Sequence, residues 1–191
     1  MTPTSDDTGS ASDGPGGASS RRLDDGPDGP TWAELWQRTA TEVGDRTHAR
    51  WLCETAGGTT GAAFLAALDE RPSTRMRRHL DAMVDRALTG EPLQYVLGHW
   101  GFRRLDLAVD RRALIPRPET EMLVELAVPE LQARPSRRVV DLGTGTGAVG
   151  LALADELPVT GTEVWLTDAS PGALDLARAN LAGIGRAAAN V

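Results

Sequence analysis

Residues 138–156 constrain this chain more than any other stretch. Arg138-Val-Val-Asp-Leu142 is a short apolar run, Gly143-Thr-Gly-Thr-Gly147 follows without a spacer, and Ala148 to Glu156 reads as a helix. A strand running through a glycine turn into a helix is the nucleotide-cradling half of a doubly wound α/β sheet. The apolar run predicts a parallel strand buried on both faces. The glycines permit a tight turn and close approach of a ligand to the backbone, and the helix start offers free N–H groups. A second strand is predicted over Glu163–Thr167, ending in Asp168. Ser170 then caps a second helix, with Pro171 at its first position.

A turn of this kind suits an adenosine-type cofactor. Asp168 stands 23 residues after Gly145, near the ~20-residue separation of an acid that takes ribose hydroxyls. Gly145-x-Gly147-x-x-Gly150 also satisfies the dinucleotide fingerprint, so a NAD-dependent oxidoreductase is a competing reading. Two features favour S-adenosylmethionine. Asp141, two residues before the first glycine, suits a cationic amino group and would repel a pyrophosphate. The spacing Asp-x-Gly-x-Gly-x-Gly is also tighter than a dinucleotide loop usually needs. The candidate cofactor residues are Gly143, Thr144, Gly145, Thr146, Gly147 and Asp168; no metal ligand set is assigned.

Upstream, the composition changes in blocks. Residues 1–30 hold six Asp, two Arg and four apolar residues (Met1, Ala11, Ala18, Leu23), so they carry −4 of the net −7. A segment so poor in apolar side chains predicts a disordered tail. Residues 31–90 predict a helical bundle. Thr31-Trp-Ala-Glu34 reads as a capping box opening a first helix that Gly44 ends. Asp45 caps a second, closed by Gly57-Gly58. A third spans about Gly61–Leu68. Ser73 caps a fourth that stops at Gly90. Arg71, Arg75 and Arg78 fall at i, i+4 and i+7, which reads either as a solvated face or as a docking surface for a charged partner. His48 and His79 have no partner at metal or triad spacing.

Residues 91–115 read as a linker, with a strand over Phe102–Asp110 as one arm of a hairpin. In Leu114-Ile-Pro-Arg-Pro-Glu-Thr-Glu121 the two prolines keep the backbone extended. A helix follows, with Glu119 and Glu121 in its first turn and Met122, Leu123, Leu126 and Ala127 as its expected buried face. Residues 116–191 complete the chain as part of an α/β domain.

Composition narrows the function class. All 20 basic residues are arginine, set against 27 acidic ones, an acidic balance that argues against bulk nucleic-acid binding. The lone Cys53 excludes an internal disulfide and a cysteine-rich zinc site, and suits a reducing cytoplasm. No apolar run reaches the ~20 residues of a membrane span, and the N-terminus lacks the order of a secretory signal.

Three motifs in sequence, Gly90-Glu-Pro-Leu-Gln-Tyr95, the Leu-Ile-Pro-Arg-Pro-Glu-Thr-Glu of 114–121 and the Asp-Leu-Gly-Thr-Gly-Thr-Gly of 141–147, together resemble the release factor glutamine N5-methyltransferases of the HemK/PrmC type. The resemblance spans roughly residues 31–191. It implies an N-terminal helical bundle, a β-hairpin linker and a Rossmann-like domain that uses S-adenosylmethionine. The implied reaction is methyl transfer to the Gln side chain of the Gly-Gly-Gln loop in class I peptide release factors. It also implies that Gly143–Gly147 line the cofactor, that Asp168 takes its ribose hydroxyls and that the loop at Arg117–Glu121 lies near it. The family's acceptor motif, Asn-Pro-Pro-Tyr, follows the fourth strand of the sheet. The only asparagines here are Asn180 and Asn190, neither before proline, so no catalytic residue is assigned. The expectation is the first half of the methyltransferase domain, a fragment inactive on its own. A non-catalytic binding module, or a methyltransferase for another amide or amino acceptor, is the alternative.

Overall fold

A computed structural model of the chain describes residues 29–191, apart from the side chains of 186–188. The tail expected over 1–30 therefore lies outside the described residues, save its last two.

Helix α1 (Trp32–Val43) starts at the expected capping box. Glu34 N–H donates to Thr31 Oγ1, and the Thr31 amide donates to the Glu34 carboxylate at 2.8 Å. Asp45 caps α2 (Arg46–Gly57) through the amides of Thr47 and His48. Helix α3 (Gly61–Ala66) ends two residues before the expected Leu68, where the Ala67 amide bonds to both Ala63 and Phe64 carbonyls. Helix α4 (Thr74–Leu88) begins at the Ser73 cap. Arg71 is thus not on a helical face with Arg75 and Arg78; Pro72 and the Ser73 cap start the helix beyond it. Helix α5 (Leu93–Leu97), unforeseen in the linker, packs Val96 into the bundle core beside Leu52, Phe64 and Leu80. Trp32 and Trp36 meet Phe64 edge-on at 5.8 and 6.2 Å. Cys53 is fully buried there, and burial pushes its thiol up to about 12. A thiol held neutral in this way packs as a small hydrophobe rather than serving as a nucleophile.

The expected hairpin is present, but its turn falls inside the stretch expected to be one arm. Strand β1 (His99–Phe102) pairs antiparallel with β2 (Leu105–Ala108), so Phe102 closes the first arm rather than opening the second. Arg103 turns the corner at φ 54°, the one non-glycine residue with positive φ among the described residues. Its side chain reaches Glu156 with two hydrogen bonds of 2.8 Å, and its amide donates to Glu121 at 2.9 Å. Three bonds hold a conformation that arginine does not favour.

A 3-10 turn (Pro118–Thr120) leads into α6 (Glu121–Gln132). The expected buried face of α6 holds only at Ala127. Met122, Leu123 and Leu126 are 58%, 58% and 66% exposed, while Val124 is buried and Ala127, Val128 and Leu131 pack partly against the core. Strand β3 (Arg137–Leu142) pairs parallel with β4 (Thr162–Thr167), in register from Arg137↔Thr162 to Leu142↔Thr167. Helix α7 (Ala148–Glu156) joins them, α8 (Pro171–Gly183) follows, and a 3-10 turn (Gly185–Asn190) ends the described elements. Apolar side chains of α6, α7 and the hairpin form one core with Val139 and Leu166. The other face of β3–β4 is uncovered: Val140, Leu142 and Trp165 are exposed. The strand expected to be buried on both sides is buried on one.

Candidate functional site

The glycine turn between β3 and α7 needs its three glycines for conformation. Gly143, Gly145 and Gly147 all have positive φ, at 73°, 58° and 87°, a region other residues rarely enter. The turn is sealed against the end of β4, where Thr167 O accepts from the amides of both Gly143 and Thr144 at 2.9 Å. Gly147 gives helix α7 no side-chain cap of its own, and Asp141 takes the Gly150 amide of its first turn at 3.0 Å.

Two carboxylates hold the turn from within. Asp141 Oδ2 accepts from Thr144 Oγ1 at 2.7 Å and from the Gly150 amide at 3.0 Å. Asp168, just past β4, accepts from the Ser170 amide with Oδ1 and from the Gly145 amide with Oδ2, both at 2.9 Å. These amides, Ser170 first and Gly145 second, hold the Asp168 carboxyl below its ordinary value. Thus the structure brings Asp168 directly onto the turn. Thr144 and Thr146 differ from the glycines: both side chains are buried, which leaves the backbone as the presenting surface.

Facing the turn is the double-proline loop. Leu114, Ile115, Pro116, Arg117 and Thr120 form one wall of a cleft whose other wall is Asp141, Gly143–Thr146, Ala148 and Val149. Its volume of about 180 Å³ is below the ~300 Å³ at which ligand pockets usually begin. The enclosed part therefore fits one end of a nucleoside-sized ligand. Asp168 stands outside this cleft. The space where a Gly143 Cβ would project is open, and one on Gly145 would sit 3.8 Å from Ala113 Cβ.

The neighbouring motifs serve as ties. Tyr95 donates its hydroxyl to Ala113 O at 2.8 Å, fixing the start of the double-proline loop. Glu91 is gripped by Arg86 through two bonds of 2.8 and 2.9 Å, and Arg111 approaches at 3.3 Å. The Arg86 guanidinium holds the Glu91 carboxyl below its usual range.

Sequence reading missed Asn180. It is 5% exposed on α8 and makes three bonds: Ala108 N donates to its Oδ1 at 2.7 Å, and its Nδ2 donates to Ala108 O at 3.0 Å and Thr146 O at 2.9 Å. One side chain therefore fastens hairpin strand β2 to the glycine turn. The signal was present, since Ala173, Leu176, Ala177 and Asn180 fall at i, i+3, i+4 and i+7. That spacing puts a polar residue on the apolar stripe of its helix.

Comparison with known proteins gives two family matches in order: the PrmC N-terminal domain over residues 34–98 and the methyltransferase small domain over residues 120–190. The chain is similar to a protein named release factor glutamine methyltransferase from Haemophilus influenzae, 42% identical over 130 residues, covering 65% of this chain and 44% of that protein. Proteins of the same name from Moorella thermoacetica and Escherichia coli are 38% and 42% identical, over 72% and 71% of this chain and 47% and 48% of theirs. The chain spans about half the length of the curated relatives it matches.

Proposed function

The chain belongs to the family that joins a PrmC N-terminal domain to a methyltransferase small domain, and from that premise we propose that its glycine turn holds S-adenosylmethionine for methylation of a release factor glutamine. The observation that carries this reading is the glycine turn flanked by two aspartates, Asp141 beneath it and Asp168 bonded to Gly145. When bound, the cofactor supplies an electrophilic methyl on a cationic sulfur.

The chain's own residues bind and orient. Gly143, Gly145 and Gly147 let a ligand reach the backbone, and the start of α7 offers the Ala148 and Val149 amides, Gly150 being held by Asp141. Asp168 offers carboxylate lone pairs to ribose hydroxyls, beside the two amides it already accepts. Asp141 spends one oxygen on Thr144 and Gly150, so its main part in the reading is to hold the turn's shape and set a negative field beneath it. Thr144 and Thr146 brace the loop from inside. The double-proline loop, tied by Tyr95, closes the opposite wall and excludes water there.

The acceptor would be the Gln amide of the Gly-Gly-Gln loop in class I release factors, with the work done in the cytoplasm, as the lone buried thiol suits. An amide nitrogen is a poor nucleophile, so the rate depends on groups that align it, worth about 7–11 kcal/mol when complete. No Asn-Pro-Pro-Tyr stretch lies in these 191 residues, and they are expected to bind the cofactor without turning it over. Calorimetry with S-adenosylmethionine and a methylation assay on a release factor test both statements. Saturable binding without turnover is the expected result, and absence of binding removes the cofactor assignment. No helix among the described residues is long and apolar enough to cross a membrane.

A further inference from the structure

Of the five tryptophans, Trp32 and Trp36 pack on Phe64, and Trp165 lies on the open sheet face. Trp51 of α2 and Trp100 of β1 belong to none of the buried clusters. They meet each other across the junction of bundle and hairpin, ring centroids 5.7 Å apart and planes at 77°. Each remains half-buried. His48 stacks on Trp51, ring centroids 5.8 Å apart and planes at 30°.

The two indoles form the corner of a cleft of about 610 Å³, well apart from the glycine turn. Its charged lining is acidic: Glu54 and Asp106. No arginine lines it, in a chain with 20 of them. Glu54, at the floor, is occupied by the Gly61 amide and by Arg50, each near 2.9 Å or closer. Asp106, at the mouth, is 71% exposed and meets His99 at 2.9 Å rather than an arginine. Thr55 and Thr60 also line the cleft.

A preformed aromatic corner with a carboxylate at its mouth is the chemistry that recognises a planar cation. Indole faces attract a guanidinium electrostatically and by stacking. A carboxylate adds a charge-assisted, fork-matched hydrogen bond. Half-buried tryptophans outside any core are also the side chains that anchor protein interfaces. We propose that this cleft between α2 and the hairpin is a docking site for an arginine side chain of a polypeptide partner, seated on Trp51 and Trp100 and paired with Asp106.

The test uses the full chain and a fluorescein-labelled peptide, acetyl-Gly-Ser-Arg-Gly-Ser-Arg-Gly amide, with fluorescence anisotropy and tryptophan quenching as readouts. Saturable binding is expected, weakened roughly tenfold in Asp106→Asn and in Trp100→Leu. The same peptide with citrulline for arginine is expected not to bind. Asp106→Asn alters an exposed side chain outside the buried clusters, so it remains informative if Trp100→Leu disturbs the hairpin. Absence of saturable binding, unchanged affinity in Asp106→Asn, or binding of the citrulline peptide would each overturn the site. So would equal affinity for a lysine peptide, since that would reduce the effect to general attraction by an acidic chain.

Discussion

Gly150 leaves no room for a side chain. A Cβ there would stand 2.2 Å from Leu166 Cδ2 and 3.2 Å from Asp141 Cβ. Leu166 can turn aside, but Asp141 is held by Thr144 and by Gly150 itself. Gly150→Ala is expected to cost about 1–3 kcal/mol, read by urea denaturation, and to loosen the turn through Asp141. Asp168 acts differently. Its folded carboxyl is held below the ordinary 3.8 by the Ser170 and Gly145 amides. A lowered folded value means the stabilisation is complete above pH 3.8 and is lost as pH falls from there through the lower folded value. The stability gap between wild type and Asp168→Ala should therefore be open at pH 6 and close on the acid side of 3.8, which melts across pH 2–6 would show. The same variant should weaken S-adenosylmethionine about ten- to a hundredfold; unchanged affinity by calorimetry would remove Asp168 from the site.

Among the elements, α6 and α8 show what a helical pattern conveys. Asn180→Ala on α8 would leave Ala108 N and Thr146 O without the partner they have now. The expected loss is about 1–3 kcal/mol, with faster hydrogen exchange at the Ala108 amide while the bundle helices stay protected. On α6, Leu126→Gln should change stability by no more than about 0.5 kcal/mol, because Leu126 is mostly exposed; a large loss would contradict the face assigned here. The capped helices were legible because capping is local chemistry: Thr31, Asp45 and Ser73 announce starts whatever they pack against. The α6 face was not, because its apolar residues surround the helix and periodicity cannot say which side meets a neighbour. The hairpin was half legible. Alternation marked β2, while β1, with its polar His99 and Gly101, carries no such pattern. Within the candidate site, the nearness of Asp168 to the glycine turn could be read from spacing, whereas the Tyr95–Ala113 tie joins residues eighteen positions apart and needed the fold.

For the molecule as a whole, the uncovered face of β3–β4 matters at the surface. Val140, Leu142 and Trp165 present large apolar groups, flanked by the Arg138–Glu163 pair at 3.3 Å. Apolar patches of that kind promote association. The 191-residue chain is expected to self-associate at micromolar concentration, and Trp165→Lys to shift it toward monomer in size-exclusion chromatography; a monomeric wild type would refute this. The bundle, whose core draws on residues 32–96, should resist such changes.

Asn180 grips Ala108 across 72 positions, and Arg103 reaches Glu156 across 53. The hairpin is therefore translated well before the groups that clasp it. At synthesis speeds of about 5–20 residues per second, Ala108 waits roughly 4–14 s for Asn180 to be made. During that interval the finished bundle would carry a loosely held ribbon behind it, and a nascent chain stalled within it would expose the hairpin to proteases that spare the bundle.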